Sequence, residues 1–296
     1  AGLALMRGPR VHVSHMDYVA GTSYTWAGAA LPLGGLGTWV VGAQVGGFNF
    51  GDQPVYTLEE PDGTGAEYSA STFVGGLSLA MNVTDRFSFG GTVKMVQETF
   101  QNVSGRTMAV DVGTNYHTEI AGRPFRAAFS ILNLGGEISL RGSDLIRRLP
   151  NPDPSQPERE DQVELSTQSF PLPIMFKVGV GWEALSTPQN RLTLAGEFWQ
   201  PQQNNTSTAF GAEYVFSPTG LAGFSLALRG GYTYEPDRSF TLNGVNFEDE
   251  ASDGLSFGGG IAYRPSEEGF SIGIDYAYRD LGLLGSSGLF SISIGW

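Results

Sequence analysis

Apolar and polar residues alternate with a period of two through most of this chain, and in segment after segment the charges fall on one side only. The final residues, Gly288 to Trp296, set Phe290, Ile292, Ile294 and Trp296 against Leu289, Ser291, Ser293 and Gly295. Segment 224–235 sets Phe224, Leu226, Leu228, Tyr232 and Tyr234 against Arg229 and Glu235, and segment 270–279 sets Phe270, Ile272, Ile274, Tyr276 and Tyr278 against Asp275 and Arg279. Segment 173–184 opposes Phe176, Val178, Val180 and Trp182 to Lys177 and Glu183. Segment 87–99 opposes Phe87, Phe89, Val93 and Met95 to Lys94 and Glu98, and 107–118 opposes Met108, Val110, Val112 and Tyr116 to Asp111 and His117. Segments 124–134, 191–200, 207–216 and 255–264 keep Arg126, Glu197, Glu213 and Arg264 off their apolar side. A period of two is the signature of a strand. A Lys or Arg facing lipid costs roughly 2–4 kcal/mol at the bilayer midplane, which gives charges a reason to avoid one face.

With 10–19, 23–33, 37–49, 72–82 and 288–296, fourteen strands are predicted. Each is near the roughly 9–11 residues that a tilted membrane strand needs. The even number fits an all-β, 14-stranded antiparallel transmembrane barrel of the outer membrane. Segment 10–19 is the least regular, because His12, His15 and Asp17 leave neither face clean. Connections after even strands are short, near 34–36, 83–86, 119–123, 185–190, 217–223 and 265–269; the long ones, near 50–71, 135–172 and 236–254, follow odd strands. Short periplasmic turns and long external loops are the expected asymmetry, which places both termini in the periplasm. Residues 1–9 read as the remnant of an N-terminal segment and 10–296 as one barrel domain.

A large soluble sandwich also alternates. Its exposed face would be rich in Lys and Glu, whereas here the polar face is mostly Gly, Ala, Ser and Thr with isolated charges. Aromatics gather near the strand ends, as interfacial girdles do. The uncharged stretch 27–51 is long enough for a membrane helix but holds eight Gly and Pro32; these are roughly 1 and 3 kcal/mol worse than Ala in a helix, so it reads as two strands around a turn.

Composition agrees. Charged residues are 16% and 42 of the 296 residues are Gly. The mean hydropathy of −0.10 would suggest a soluble chain, but half of every barrel strand is polar. A net charge of −13 argues against nucleic-acid binding, which wants a basic face. Without Cys there is no thiol chemistry.

The predicted lumen holds Lys94, Glu98, Asp111, Arg126, Lys177, Glu197, Glu213, Arg229, Arg264, Asp275 and Arg279. The signs nearly balance, which argues against a strongly ion-selective pore and for cross-strand ion pairs; Glu213 and Arg229, at similar heights on adjacent strands, are expected to pair. His117 lies six residues from Asp111, about 20 Å at strand rise, and no Gly-x-Ser-x-Gly elbow occurs, so no catalytic residue is assigned. His12 and His15 lack a ligand cluster, and no metal or cofactor site is expected. The loops carry acid at Glu59, Glu60, Asp62 and Glu67, at Glu158, Glu160, Asp161 and Glu164, and at Glu248, Asp249, Glu250 and Asp253. Apolar residues in an external loop must bury somewhere, so Leu140, Leu145, Ile146 and Leu149, ahead of the Pro-rich run 150–157, mark a lid or a partner-docking patch.

Several motifs resemble the PorV/PorQ family, which belongs with the FadL-like outer-membrane barrels: Ala1-Gly-Leu-Ala4, like the tail of an Asn-Pro-Ala-Gly-Leu-Ala motif; Leu31-Pro-Leu-Gly-Gly-Leu-Gly37; Thr84-Asp-Arg-Phe-Ser-Phe-Gly-Gly-Thr-Val-Lys94; Phe170-Pro-Leu-Pro173; Gly211-Ala-Glu-Tyr214; and Asp275-Tyr-Ala-Tyr278 with Leu284-Gly285. The resemblance spans nearly the whole chain. It implies a fourteen-strand barrel in outer-membrane lipid that binds a protein partner, cargo or machinery of type IX secretion, at its external side. FadL-like relatives instead pass hydrophobic small molecules, which makes an apolar ligand the alternative.

Overall fold

A computed structural model describes residues 1–33, 39–150, 160–202, 205–236, 238–242, 245–249, 254–266 and 269–296. Fourteen long strands follow one another around a closed antiparallel ring. They are β1 Arg10–Asp17, β2 Ser23–Leu33, β3 Trp39–Pro54, β4 Glu67–Asn82, β5 Phe87–Phe100, β6 Val103–Ile120 and β7 Arg123–Gly135. The second half comprises β8 Met175–Ser186, β9 Asn190–Pro201, β10 Ser207–Phe216, β11 Phe224–Tyr234, β12 Gly254–Tyr263, β13 Ser271–Asp280 and β14 Ser286–Gly295. Each strand pairs with its chain neighbours, and β14 closes on β1 from Arg10↔Gly295 to Asp17↔Gly288. No helix among the described residues is long and apolar enough to cross a membrane; the uncharged stretch 27–51 runs through β2 and β3, its turn residues 34–38 lying outside the described set.

The register assigns the faces. Val11 and Val13 lie opposite Ile294 and Ile292, on the outer wall. His15, opposite Phe290, caps that outer face at the strand end, where its ring bonds Thr25 Oγ1 at 2.8 Å and approaches Asp17 at 3.3 Å. His12 turns inward and meets Trp26 with ring centroids 5.6 Å apart and planes tilted by 56°. The irregular look of the first strand therefore comes from a charged group at a rim, not from a broken alternation. On the outside, Leu77, Val93, Met108, Leu228 and Ile261 stand exposed around the middle, and aromatics ring both ends: Trp39, Phe89, Tyr116 and Trp296 at the end bearing the termini, Phe73, Phe210, Tyr278 and Phe290 at the other. This is the lipid-facing surface of a transmembrane barrel.

Two boundaries differ from expectation. The connection foreseen over 50–71 shrinks to residues 55–66, because β3 and β4 continue to Pro54 and Glu67 past a bulge between Asn49 and Asp52. Gly51 there has φ 68°, and the one extra residue breaks the alternation that marks a strand. The interval foreseen between the fifth and sixth strands is a two-residue turn, Gln101-Asn102, closing Phe100↔Val103. The connection over 136–174 carries paired segments of its own: Glu137–Ile138 with Phe170–Pro171, and Ile146–Pro150 with Glu160–Glu164. The 236–254 connection contains the pair Arg238–Leu242 and Val245–Asp249. The acidic residues Glu158, Glu250 and Asp253 lie outside the described residues, as does the Pro-rich run beyond Pro150.

Because Leu228 is 67% exposed at the middle of β11, Leu228→Arg should destabilise the barrel in lipid vesicles by roughly 2–4 kcal/mol. Thr193→Arg, pointing inward, should cost far less. Urea unfolding monitored by tryptophan fluorescence measures both; equal losses would mean the two faces are assigned wrongly.

Candidate functional site

The inner wall is organised around charges that meet across strands. Lys94 on β5 and Asp111 on β6 approach to 2.7 Å with side chains only 11% and 17% exposed. Asp111 sits where β6 and β7 slip register between Val110 and Val112. Its Oδ1 accepts the backbone N–H of Asn133 at 2.8 Å, and Asn133 adopts φ 64°. The Asn133 side chain then donates to Pro173 O at 2.8 Å, just before β8 begins. One carboxylate therefore neutralises a lysine, fills an N–H that the bulge leaves without a ladder partner, and fixes the point where the long connection leaves and rejoins the wall. Asp111 is engaged with these groups and not with His117, which lies opposite Arg126 in the β6–β7 ladder.

The base of that connection folds into the barrel mouth. Ile138 is fully buried, and with Leu172 it packs on Val96 and Ala109 of the inner wall, joined by Val74 and Leu140. Gly105 makes room: a Cβ there would stand 2.6 Å from Ile138 Cγ2 and 2.7 Å from Ser139 O. Thr167 Oγ1 accepts from Leu140 N and donates to Leu140 O, at 3.0 and 3.1 Å, closing the return path. Of the four residues expected to form a lid or patch, only Leu140 joins this cluster. Leu145 is half-buried, and Ile146 and Leu149 remain exposed on the outer hairpin. The residues that bury, Ile138 and Leu172, were not singled out in the sequence, although Glu137-Ile138-Ser-Leu140 alternates as an inward-facing strand would.

At the end bearing the termini, the N-terminal residues also enter the lumen. Gly2–Leu5 forms a single 3-10 turn against β3, β4 and β5. Ala4 is buried, its carbonyl accepts from Asn82 Nδ2 at 3.0 Å, and Leu3 lies over Gly42. The wall from β3 to β6 is thus covered from both ends.

Among the described residues, nothing comparable covers the wall from β9 to β13. Arg229 on β11 donates through Nε to Glu213 on β10 at 2.8 Å and through Nη1 to Asp275 on β13 at 2.6 Å. Arg191 on β9 reaches Glu213 at 3.5 Å. Arg229 can cross β12 because Gly258 and Gly260 lie beneath it; a Cβ on Gly260 would collide with Asp275 Oδ1 and stand 3.2 Å from Arg229 Nη1. Below this network a cavity of about 740 Å³ extends past Arg10, Arg264, Ala262 and Ser271. Above it a second, of about 510 Å³, is lined inside by Gly179, Ala195, Ala209, Gly211, Gly231 and Ala277. Glu213 and Arg229 line both.

The other expected lumen charges divide. Lys177 bonds Glu197 at 3.2 Å and lies 5.6 Å from the Trp199 ring centre. Glu98 lies opposite Thr72 and Gly105, and Arg279 opposite Ser256 and Ser287; neither joins the three clusters. Arg191 was missed, yet it shares the inward parity of Glu197.

The sequence matches no protein-family model and no curated protein. Its architecture does match solved structures. The Pseudomonas putida toluene transporter TodX aligns over 100% of this chain and 91% of its own, with a TM-score of 0.57 at 11% identity. A Pseudomonas aeruginosa FadL homologue aligns over 100% and 92%, with 0.55 at 11%. The Ralstonia pickettii toluene transporter TbuX aligns over 100% and 90%, with 0.53 at 14%. The fold is that of the FadL-like outer-membrane channels. At such identities the likeness speaks to architecture and not to activity.

Gly105→Leu should expel the base of the 136–174 connection while leaving the ring closed. Exposing Ile138 and Leu172 forfeits about 1.5–3 kcal/mol per side chain, so limited proteolysis within that segment should accelerate by on the order of tenfold or more. Unchanged cleavage would show that the cluster does not hold the segment.

Proposed function

We propose that this chain is an outer-membrane channel for apolar small molecules, its termini and short turns periplasmic and its long connections external. One observation carries the reading. The lumen is filled unequally: the N-terminal turn and the inward-folded connection cover β3 to β6, while the β9–β13 side keeps about 740 and 510 Å³ of space, with Gly and Ala at many inward positions beside the Arg229 network, Arg10 and Arg264. The Gly and Ala positions along this wall leave volume without themselves adding hydrogen-bonding groups. A single aromatic ring occupies a cavity on the order of 150 Å³, so each space accommodates a monoaromatic hydrocarbon, the class that the toluene transporters of like fold carry by their names.

Cells expressing the barrel should take up radiolabelled toluene faster than cells lacking it, with no gain for a polar solute of similar size. Equal toluene uptake in both strains would defeat the proposal.

A second reading, the PorV/PorQ-type barrel that engages a secretion partner or cargo, is favoured by exposed apolar side chains at the loop end. Leu58 is fully exposed and Tyr56 62% exposed beside Glu59, Glu60 and Asp62. Purification from the native membrane distinguishes the two: a stoichiometric protein partner lost on Tyr56→Ser/Leu58→Ser favours docking, and recovery of the barrel alone favours the channel.

A further inference from the structure

We propose that the Arg229 network is the electrostatic filter of the passage, the element that sets which charges can cross between the two lumen spaces. This rests on reading the barrel as a channel, though not on the identity of its solute. Glu213 and Arg229 border both spaces, and Asp275 borders the lower one. Anything moving between these spaces along the β9–β13 wall passes within contact distance of these side chains.

The network presents little free charge to such a solute. Two guanidinium nitrogens of Arg229 are held by Glu213 and Asp275, and Glu213 is shared with Arg191. Two cations face two carboxylates, so the formal sum is zero. The groups remain partly wet, Arg229 at 39% and Asp275 at 35% exposure. An unpaired charge here would therefore act on passing ions through water and not be sealed in protein. An intact network neither attracts anions to Arg229 nor cations to the carboxylates. Neutral solutes are indifferent to the network, and ions gain nothing from it to offset their partial dehydration. Removing one sign exposes the other.

The test is ion selectivity in planar bilayers, read from reversal potentials in a KCl gradient with the whole chain. Arg229→Gln leaves Glu213 and Asp275 facing Arg191 alone and should raise the potassium-to-chloride permeability ratio. The double variant Glu213→Gln/Asp275→Asn leaves Arg229 and Arg191 and should lower it. Each change should be about threefold or more, the factor that follows from a local potential shift on the order of one kT. Asp275→Asn alone should fall between the wild type and the double variant. Heat-modifiable gel migration identifies closed barrels, and only those are measured; the three variants fail independently, so loss of one leaves the others informative. A wild-type barrel that carries no current, or permeability ratios unchanged across the folded variants, would overturn the filter. Toluene uptake that fails while selectivity still follows these charges would discard the apolar solute and leave the filter standing.

Discussion

A peptide group in hydrocarbon has no water to bond, and that single constraint fixes the rest of this molecule. An unsatisfied backbone donor or acceptor there costs several kcal/mol. An open sheet of fourteen strands would expose two whole edges of them. The pairing of β14 with β1 over all eight residues of β1 removes both edges at once. Closure also makes the wall one residue thick, so each side chain faces either lipid or lumen with no interior between. Core packing in the usual sense is scarce, and few side chains among the described residues are fully buried. What specificity the barrel has must therefore be built from inward-facing residues and from chain that folds into the lumen.

The same geometry explains how much could be read from residues alone. A lipid-facing position admits almost only apolar side chains, so the alternation in 224–235 or 270–279 is nearly clean, and the strands fall where it predicts. It fails where neighbouring geometry intrudes. At Asn49 to Asp52 a bulge adds one residue to β3 and the period is lost, although pairing resumes beyond it. At β1 the apolar stripe ends at the rim, where His15 and Asp17 can stand outside the hydrocarbon.

The site was legible in part, and the division has a physical cause. In an up-and-down barrel, consecutive strands are neighbours, so Glu213 and Arg229 on consecutive inward faces were bound to be adjacent; they bond at 2.8 Å. Contact with Asp275 depends on Gly258 and Gly260 leaving β12 bare, a condition set by what is missing from an intervening strand. The filling of the mouth was harder still. Leu149 and Ile138 are equally apolar, yet only Ile138 meets a wall, because Gly105, the Asn133 bulge and the bond to Pro173 bring that end of the connection inward. No local pattern encodes an encounter between residues more than thirty positions apart.

The glycines under Arg229 also bear on why the network exists. Gly in a strand interior is destabilising by roughly 0.5–1 kcal/mol relative to Ala, and β12 has Gly258, Gly259 and Gly260 in succession. The Arg229–Asp275 pair they permit is partly solvated, with side chains 39% and 35% exposed, and a pair of that kind contributes roughly 0–1 kcal/mol. The two quantities are of similar size and opposite sign, so the arrangement gives the fold little net stability. Branched residues on β12 with an uncharged neighbour at position 229 would hold the wall at least as firmly. What the present residues provide, and those would not, is space on both sides of a neutralised charge cluster, along the wall that the described residues leave open.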